Sequence, residues 1–288
     1  MKFRKLTVLV ALTTALGAGV ASADVVLNDW YFNPAGSGLG TARQISQYWD
    51  ITGNAFIDLT DLGGGNFSFT EYGVFKSTGS DGGGNDWALD SNFNREVTAL
   101  LTATGVGNFG SGFSFTAGTL SMYAGATFNY GSLSAGVAPV FGANDGTPLA
   151  TLSVIPGGGG AVDPNGNPVS NGVVTLLTKF DSMAANTWFM PNGSPMGLDS
   201  VVGFAFTNAN PISNPTTIAV REIICEGAGA TPAGTNCATG TGYANVAKDY
   251  VFVSNNGQFK LNAVPEPGSL ALIGLGMLGL AFASRRKT

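Results

Sequence analysis

The clearest group of residues with the types and spacing of a chemical site is an oxygen-rich loop. Asp163, Asn165 and Asn167 place carboxylate and amide oxygens at alternate positions, which is the spacing used by calcium-binding loops. The loop lacks the bidentate glutamate that completes such a site, and its two prolines fit an ordinary turn. We therefore expect no cofactor, and calcium bound at this loop is the alternative.

Paired carboxylates are the second chemistry to consider, because glycoside hydrolysis needs two acids across a cleft at a defined separation. No motif selects such a pair. Glu71, Glu222 and Glu226 are candidates for buried acids, although we expect each at a rim or on the surface. The sequence has no histidine, which excludes Ser-His-Asp triads, Cys-His dyads and histidine metal sites. We expect no enzymatic activity, and a carbohydrate-active enzyme acting on extracellular polysaccharide is the alternative.

The two cysteines, Cys225 and Cys237, are predicted to form a disulfide, since the sequence indicates an exported protein. In the loop-entropy account this bond would stabilise the fold by roughly 3 kcal/mol. A reactive thiol is the alternative, but no histidine or obvious cationic neighbour is present to lower a thiol pKa.

The four tryptophans could stack on sugar rings or fill the core. Trp30 and Trp49 lie within predicted strands and are expected in the core, and Trp188 is left open between the two roles. Trp87 lies in a loop rich in aspartate and glycine, and it is our candidate for an exposed glycan contact.

Charge is sparse and mostly negative. Between residues 24 and 262 there are seven Lys and Arg against 17 Asp and Glu, a net charge of about −10. Such a surface disfavours nucleic acid as a partner. It is compatible with neutral glycans, which its abundant Ser, Thr, Asn and Gly could contact.

Strand signals dominate the interior of the sequence. In residues 66–72 Phe67, Phe69 and Glu71 alternate with polar residues, and Gly63 to Gly65 form the turn before them. Ile218–Cys225 also alternates and predicts a strand, and Asn255-Asn256-Gly257 predicts a hairpin turn. Ten to thirteen short strands separated by turn signals predict an all-β fold, an antiparallel β-sandwich or jelly roll. A β-solenoid is disfavoured because no repeat is visible.

The first 23 residues have the three parts of a secretory signal peptide. Lys2, Arg4 and Lys5 precede an apolar stretch, and Ala21-Ser22-Ala23 fits the small-x-small cleavage rule, with Ala23 as the last residue removed. We expect export through the Sec translocon. The predicted organisation is a signal peptide (1–23), a secreted β-rich domain (24–262) and a C-terminal sorting segment (263–288).

The C-terminal segment combines a rigid tripeptide, an apolar run and a basic end. Pro265, Glu266 and Pro267 favour an extended, accessible chain. Residues 270–283 carry no charge, and Arg285, Arg286 and Lys287 follow as a stop on the cytoplasmic side. The run is short for a membrane span, but three terminal cations and no polar face favour a transmembrane helix over a buried core helix.

This order of features resembles the PEP-CTERM sorting signal of bacterial envelope proteins. The resemblance implies recognition by an exosortase, transient anchoring in the inner membrane and release to the cell surface or medium. The segments around Asp29 to Pro34 and Phe252 to Leu261 are similar to flocculation-associated PEP-CTERM proteins. The expected function is a non-catalytic cell-surface or matrix protein associated with exopolysaccharide, biofilm or floc formation. A purely structural coat protein is a further alternative.

Overall fold

The fold is given by a computed structural model, which describes residues 25–81, 94–133, 140–169 and 172–264. The predicted signal peptide with Ala23, the loop with Trp87, and the predicted sorting segment from Pro265 onwards lie outside these described residues. The described strands are β1 (Val25–Val26), β2 (Trp30–Phe32), β3 (Arg43–Ile45), β4 (Tyr48–Gly63), β5 (Asn66–Ser80), β6 (Glu96–Asn108), β7 (Gly112–Gly125), β8 (Thr147–Val154), β9 (Gly157–Ala161), β10 (Gly172–Met183), β11 (Trp188–Phe189), β12 (Val201–Pro211) and β13 (Tyr250–Ala263).

The main sheet runs in the order β1-β13-β12-β10-β8-β7-β6-β5-β4, with β9 beside β7 and β10. Its strands from β4 onwards pair antiparallel. β13 also pairs with β4, from Tyr250 opposite Asp58 to Lys260 opposite Tyr48. The sheet therefore closes on itself, and this closure satisfies backbone groups that an edge strand would leave open.

The predicted all-β, antiparallel class is confirmed. Side chains from opposite walls of the closed sheet meet in one core, as those of two facing sheets do in a sandwich. The turn predicted at Gly63 to Gly65 is also confirmed, since β4 and β5 pair along their length and Gly63 lies opposite Asn66 at the turn.

A short helical segment lies against the outer face of this sheet. It begins as α1 (Thr217–Ala219) and continues as the π-helical turns Val220–Gly227. Its buried residues form a second core with residues of β4, β5 and β13. The buried residues of the segment are Ala219, Val220, Glu222, Ile223 and Ile224.

The strand predicted for Ile218–Cys225 is therefore wrong. The same apolar residues that alternate along a strand also recur at i, i+1, i+4 and i+5, which is one face of a helix. The hydroxyl of Thr216 accepts a hydrogen bond from the N–H of Ala219 and caps the first turn. This cap favours the helical period over the strand period.

The turn predicted at Asn255-Asn256-Gly257 is also wrong. These residues lie in the middle of β13 and pair on both sides, with Thr52 opposite Asn256 in β4 and Asn208 opposite it in β12. Pairing on two sides overrides the local turn preference of an Asn-Gly sequence.

Candidate functional site

The closed sheet encloses an apolar cavity of about 70 Å³. Its walls come from β4, β5, β6, β7, β10, β12 and β13, and they are mostly aliphatic and aromatic. Side chains on alternate positions of a strand point to the same face, so every one of these strands turns one set of residues into the interior. Representative lining residues are Ile51, Phe75, Leu101, Met122, Leu176 and Phe259.

One carboxylic acid faces this apolar interior. Glu71 lines the cavity and is only 7% exposed. No residue in the described part of the chain donates a hydrogen bond to its carboxyl group or forms an ion pair with it. Burial raises the pKa of this carboxyl from its ordinary value of 4.5 to about 7. The group is thus an isolated acid whose protonated form is favoured by burial.

The alternation of β5 explains how Glu71 reaches the interior. Phe67, Phe69 and Glu71 occupy every second position, and all three are buried, which confirms the predicted common face. The direct cross-strand partners of Glu71 are Ile57 in β4 and Ala103 in β6, and neither can donate to a carboxyl group. Sequence reasoning named this acid but placed it at a rim or on the surface, and that placement is wrong.

Four neutral polar residues also line the cavity, namely Ser77, Thr98, Thr207 and Asn255. Thr207 in β12 and Asn255 in β13 are 8% and 5% exposed. Asn255 belongs to the segment predicted as a turn, and a turn prediction offers no reason to place its side chain inside. The cavity therefore has a carboxyl, an amide and several hydroxyl-bearing residues on mostly apolar walls.

An aromatic cluster packs at the end of the closed sheet where β4 begins. Trp30 of β2 stacks on Trp188 of β11 at 5.9 Å, and it contacts Trp49 of β4 at 5.3 Å between ring centroids. Phe32 lies 4.6 Å from Trp49. Trp30 and Trp49 are buried, which confirms their predicted place in the core, and Trp188 is buried with them. Three of the four tryptophans are thus committed to packing, and Trp87 lies outside the described residues.

The loop of Asp163 is held together by its own side chains. One oxygen of the Asp163 carboxylate accepts hydrogen bonds from the backbone N–H groups of Asn165 at 2.8 Å and Asn167 at 2.9 Å. Its other oxygen accepts from the side-chain amide of Asn167 at 3.1 Å. Asn167 therefore turns a donor, and not the oxygen that calcium requires, towards the carboxylate. No group of three or more acidic, cysteine or histidine side chains within the described ranges is placed to hold a metal ion.

The same loop packs at the end opposite the tryptophans. Gly166 has a φ of +88°, and a Cβ on it would lie 2.7 Å from Cδ1 of Leu59 and 3.0 Å from Cε1 of Phe109. A smaller cavity of about 20 Å³ lies between this loop and Glu71, which lines it as well. The loop considered as the alternative calcium site thus covers one end of the core.

The other candidate acids occupy different surroundings. Glu222 is 2% exposed, and its carboxylate accepts a hydrogen bond from the N–H of Phe141 at 3.1 Å. Its predicted surface position is wrong, because the helical segment turns it towards the sheet. Glu226, one turn later, is exposed as predicted. Cys225 lies in the helical segment, and it forms a disulfide bond with Cys237, which follows that segment.

The outer wall of the closed sheet carries rows of hydroxyl groups. Thr102 in β6 lies opposite Thr119 in β7, and Thr119 lies opposite Ser153 in β8. Ser121 and Thr151 form the adjacent row. Neighbouring strands are about 4.8 Å apart, so the hydroxyls repeat at about that interval across the wall. Sequence reasoning predicted uncharged polar outer faces in general, but these rows depend on the register between strands.

The described residues thus define an all-β antiparallel domain with a closed sheet around a small apolar cavity. Residues 263–287, which begin at the last residue of β13, match the family described as the PEP-CTERM protein-sorting motif. The chain is therefore an exported protein of the exosortase-sorted kind, anchored transiently in the membrane. Comparison with curated proteins and with solved structures found no match.

Within the described ranges, no helix has the length and apolar character needed to cross a membrane. The predicted transmembrane segment, including Arg285, Arg286 and Lys287, lies outside those ranges.

Proposed function

We propose that this exported protein works without catalysis at the cell surface or in the extracellular matrix, where it associates with exopolysaccharide in biofilm or floc formation. The observation that carries the proposal is the row Thr102, Thr119 and Ser153 on three adjacent strands. The exposed hydroxyls of Thr102 and Thr119 can exchange hydrogen bonds with the hydroxyls of a neutral glycan. At the end of the row the Ser153 hydroxyl donates to the Asp181 carboxylate and lies opposite Lys179 of β10, so it is available to a glycan as an acceptor. The proposed route of export is the Sec translocon.

Affinity for each sugar would be low, because every contact replaces a hydrogen bond to water and gains little. Many copies sorted to one surface would bind a long polysaccharide at many points, and such multivalency raises the overall affinity without new contacts. The sorting motif at residues 263–287 supports this setting, since it directs copies of the chain to the cell envelope.

The test is retention of the processed protein, purified from the producing cells, on those cells' own exopolysaccharide, with and without EDTA. We expect retention that EDTA leaves unchanged. A triple variant with Thr102→Val, Thr119→Val and Ser153→Ala should be retained several-fold more weakly, because it removes the hydroxyls while keeping the volume of the threonine side chains. Absence of retention of the unaltered protein would reject the exopolysaccharide role.

A matched control removes as many hydroxyls elsewhere. Thr127, Thr147 and Ser213 are exposed and lie outside the hydroxyl row. The variant with Thr127→Val, Thr147→Val and Ser213→Ala should be retained like the unaltered protein. Equal weakening of the two triple variants, or retention that EDTA abolishes, would contradict binding through the hydroxyl row.

A further inference from the structure

The isolated carboxyl of Glu71 indicates what the interior cavity can bind. Polar groups in protein interiors nearly always have a hydrogen-bond partner, and burying one without a partner is unfavourable by about 1–3 kcal/mol. Glu71 is 93% buried on the basis of its 7% exposure, and no described residue is its partner. The Glu71 oxygens are not among the fully enclosed polar atoms that lack a partner, so they are accessible from the cavity, where water or a donor group of a ligand can bond to them.

The walls and the volume limit the partner to a small, mainly apolar molecule. The cavity of about 70 Å³ is lined largely by aliphatic and aromatic side chains such as Leu101, Leu176 and Phe259. It has about half of the ~150 Å³ that accommodates benzene in an engineered protein cavity. An apolar body of about three carbon atoms suits this space.

The ionisable residues that line the cavity indicate which polar group a ligand should carry. Among the lining residues, Glu71 and Lys76 are the ionisable ones. Lys76 directs its ammonium group to the ring of Tyr130, 5.4 Å from the centroid, in the second core region outside the cavity. An anionic ligand would be repelled by the Glu71 carboxylate, whereas an amine, which is an ammonium ion at neutral pH, is complementary to it in both charge and hydrogen bonding.

We propose that the cavity inside the closed sheet binds a small apolar primary amine, held by the carboxyl group of Glu71. At neutral pH the amine arrives as its ammonium ion. On binding, the O–H bond of a protonated Glu71 breaks, the proton passes to solvent water, and the product is an ammonium–carboxylate pair. Hydrogen bonds between charged groups are about twice as strong as those between neutral ones. The amide of Asn255 and the hydroxyl of Thr207 line the same cavity and offer further acceptors.

The experiment titrates the processed protein with n-propylamine at neutral pH and constant ionic strength, and follows binding by calorimetry and by the shift of the unfolding midpoint. We expect saturable binding and an upward shift. Propionate and n-propanol, of similar size, should bind at least 10-fold more weakly. Absence of saturable propylamine binding, or equal binding of n-propanol, would overturn the proposal.

Two variants locate the site. Glu71→Gln keeps the shape and hydrogen-bonding capacity of the side chain but cannot take the negative charge, so propylamine affinity should fall at least 10-fold. Glu96→Gln is the control, because Glu96 is also 7% exposed but accepts hydrogen bonds from the N–H groups of Asn129 and Tyr130 on the other face of the sheet. It should bind propylamine like the unaltered protein.

A third variant keeps the test informative if Glu71→Gln folds poorly. Ala99 lines the cavity from β6, and Ala99→Leu fills space without touching the carboxyl. It should abolish propylamine binding while circular dichroism remains that of the native fold. Unchanged binding in Glu71→Gln or in a folded Ala99→Leu would place the amine elsewhere and reject the interior site. This outcome is independent of exopolysaccharide retention, which concerns the outer wall.

Discussion

The ring of Phe69 lies over the backbone of Gly105, its direct cross-strand partner in β6. A Cβ on residue 105 would be 2.2 Å from Cε1 of Phe69 and 2.3 Å from the carbonyl oxygen of Ser114. The neighbouring pair Phe67 and Gly107 has the same arrangement, with 2.4 Å between the ideal Cβ and Cζ. Large rings in the interior of this closed sheet are thus accommodated by glycines on the facing strand.

Replacing Gly105 by alanine is therefore expected to destabilise the fold. The new methyl group meets both a ring and a backbone oxygen, and only the ring can move. We expect a loss of about 1–3 kcal/mol in the free energy of unfolding, as is typical of overpacked cores. Chemical denaturation of the unaltered protein and of Gly105→Ala measures it.

Gly40→Ala serves as the control for that substitution. A Cβ on Gly40 meets nothing within 4 Å, and its φ is not positive. Its free energy of unfolding should stay close to that of the unaltered protein. If Gly105→Ala were equally stable, the close contact with Phe69 would not describe the packing of the core.

The carboxyl of Glu71 should make stability depend on pH. Its pKa is raised by burial from 4.5 to about 7, so the folded state binds the proton more tightly than the unfolded state. The stability associated with the neutral carboxyl is complete below pH 4.5 and is lost as the pH rises to about 7. The full loss is roughly 3 kcal/mol at 1.36 kcal/mol for each pKa unit.

The measurement is the free energy of unfolding of the unaltered protein and of Glu71→Gln between pH 4 and pH 8. Other acids titrate in both proteins, so the difference between the two curves isolates Glu71. The unaltered protein should lose stability relative to Glu71→Gln as the pH increases. A difference that is constant with pH would mean that the carboxyl is not buried in the cavity.

The disulfide should stabilise the segment that packs on the outer face of the sheet. Cys225 and Cys237 are 12 residues apart, and cross-linking at this separation restricts the unfolded chain by roughly 3 kcal/mol. The double variant Cys225→Ser and Cys237→Ser should lose about 2–3 kcal/mol in the free energy of unfolding. Adding a reductant should lower the stability of the unaltered protein and leave the variant unchanged; a drop in both would point to an effect unrelated to this bond.

The sorting motif predicts two separable phenotypes. Deleting residues 270–288 removes the apolar run and the basic end, so more of the protein should leave the membrane fraction for the medium. Replacing Pro265, Glu266 and Pro267 by alanine keeps the apolar run but removes the tripeptide, so the unprocessed protein should accumulate in the membrane fraction. Fractionation of cells followed by immunoblotting measures both. Unchanged distribution of both variants would reject the sorting role.

Local patterns in the sequence predicted much of the sheet. Alternation in β5 placed Phe67 and Phe69 on one face, and Gly63 to Gly65 located the first hairpin, because both signals lie within a few residues of each other. Helix and strand periods were confused at Ile218–Cys225, where both fit the same apolar residues. The cap at Thr216 was the signal that could have separated them.

Long-range pairing could not be predicted from such patterns. The β13 segment around Asn255 has the composition of a turn, and only its two partner strands, which lie far away in the sequence, make it extended. The cavity could not be predicted for the same reason, because its walls come from seven strands that pair over long distances in the sequence. The sequence places Glu71 on a strand. Its carboxyl lacks a hydrogen-bond donor because its cross-strand partners are Ile57 and Ala103, and these partners are set by the register in which β4, β5 and β6 pair.

The pairing of β4 with β13 joins the beginning and the end of the domain, so it can form only after the last strand has been synthesised and exported. The paired residues are roughly 200 positions apart, as for Phe56 and Phe252, so this contact has a high contact order and forms late. β13 ends at Ala263, where the match to the sorting motif begins. Before β13 arrives, β4 and β12 are both open edges that can pair with other chains. The sorting motif follows β13 along the chain, so a protein cleaved at its tail is one whose last strand has already been delivered.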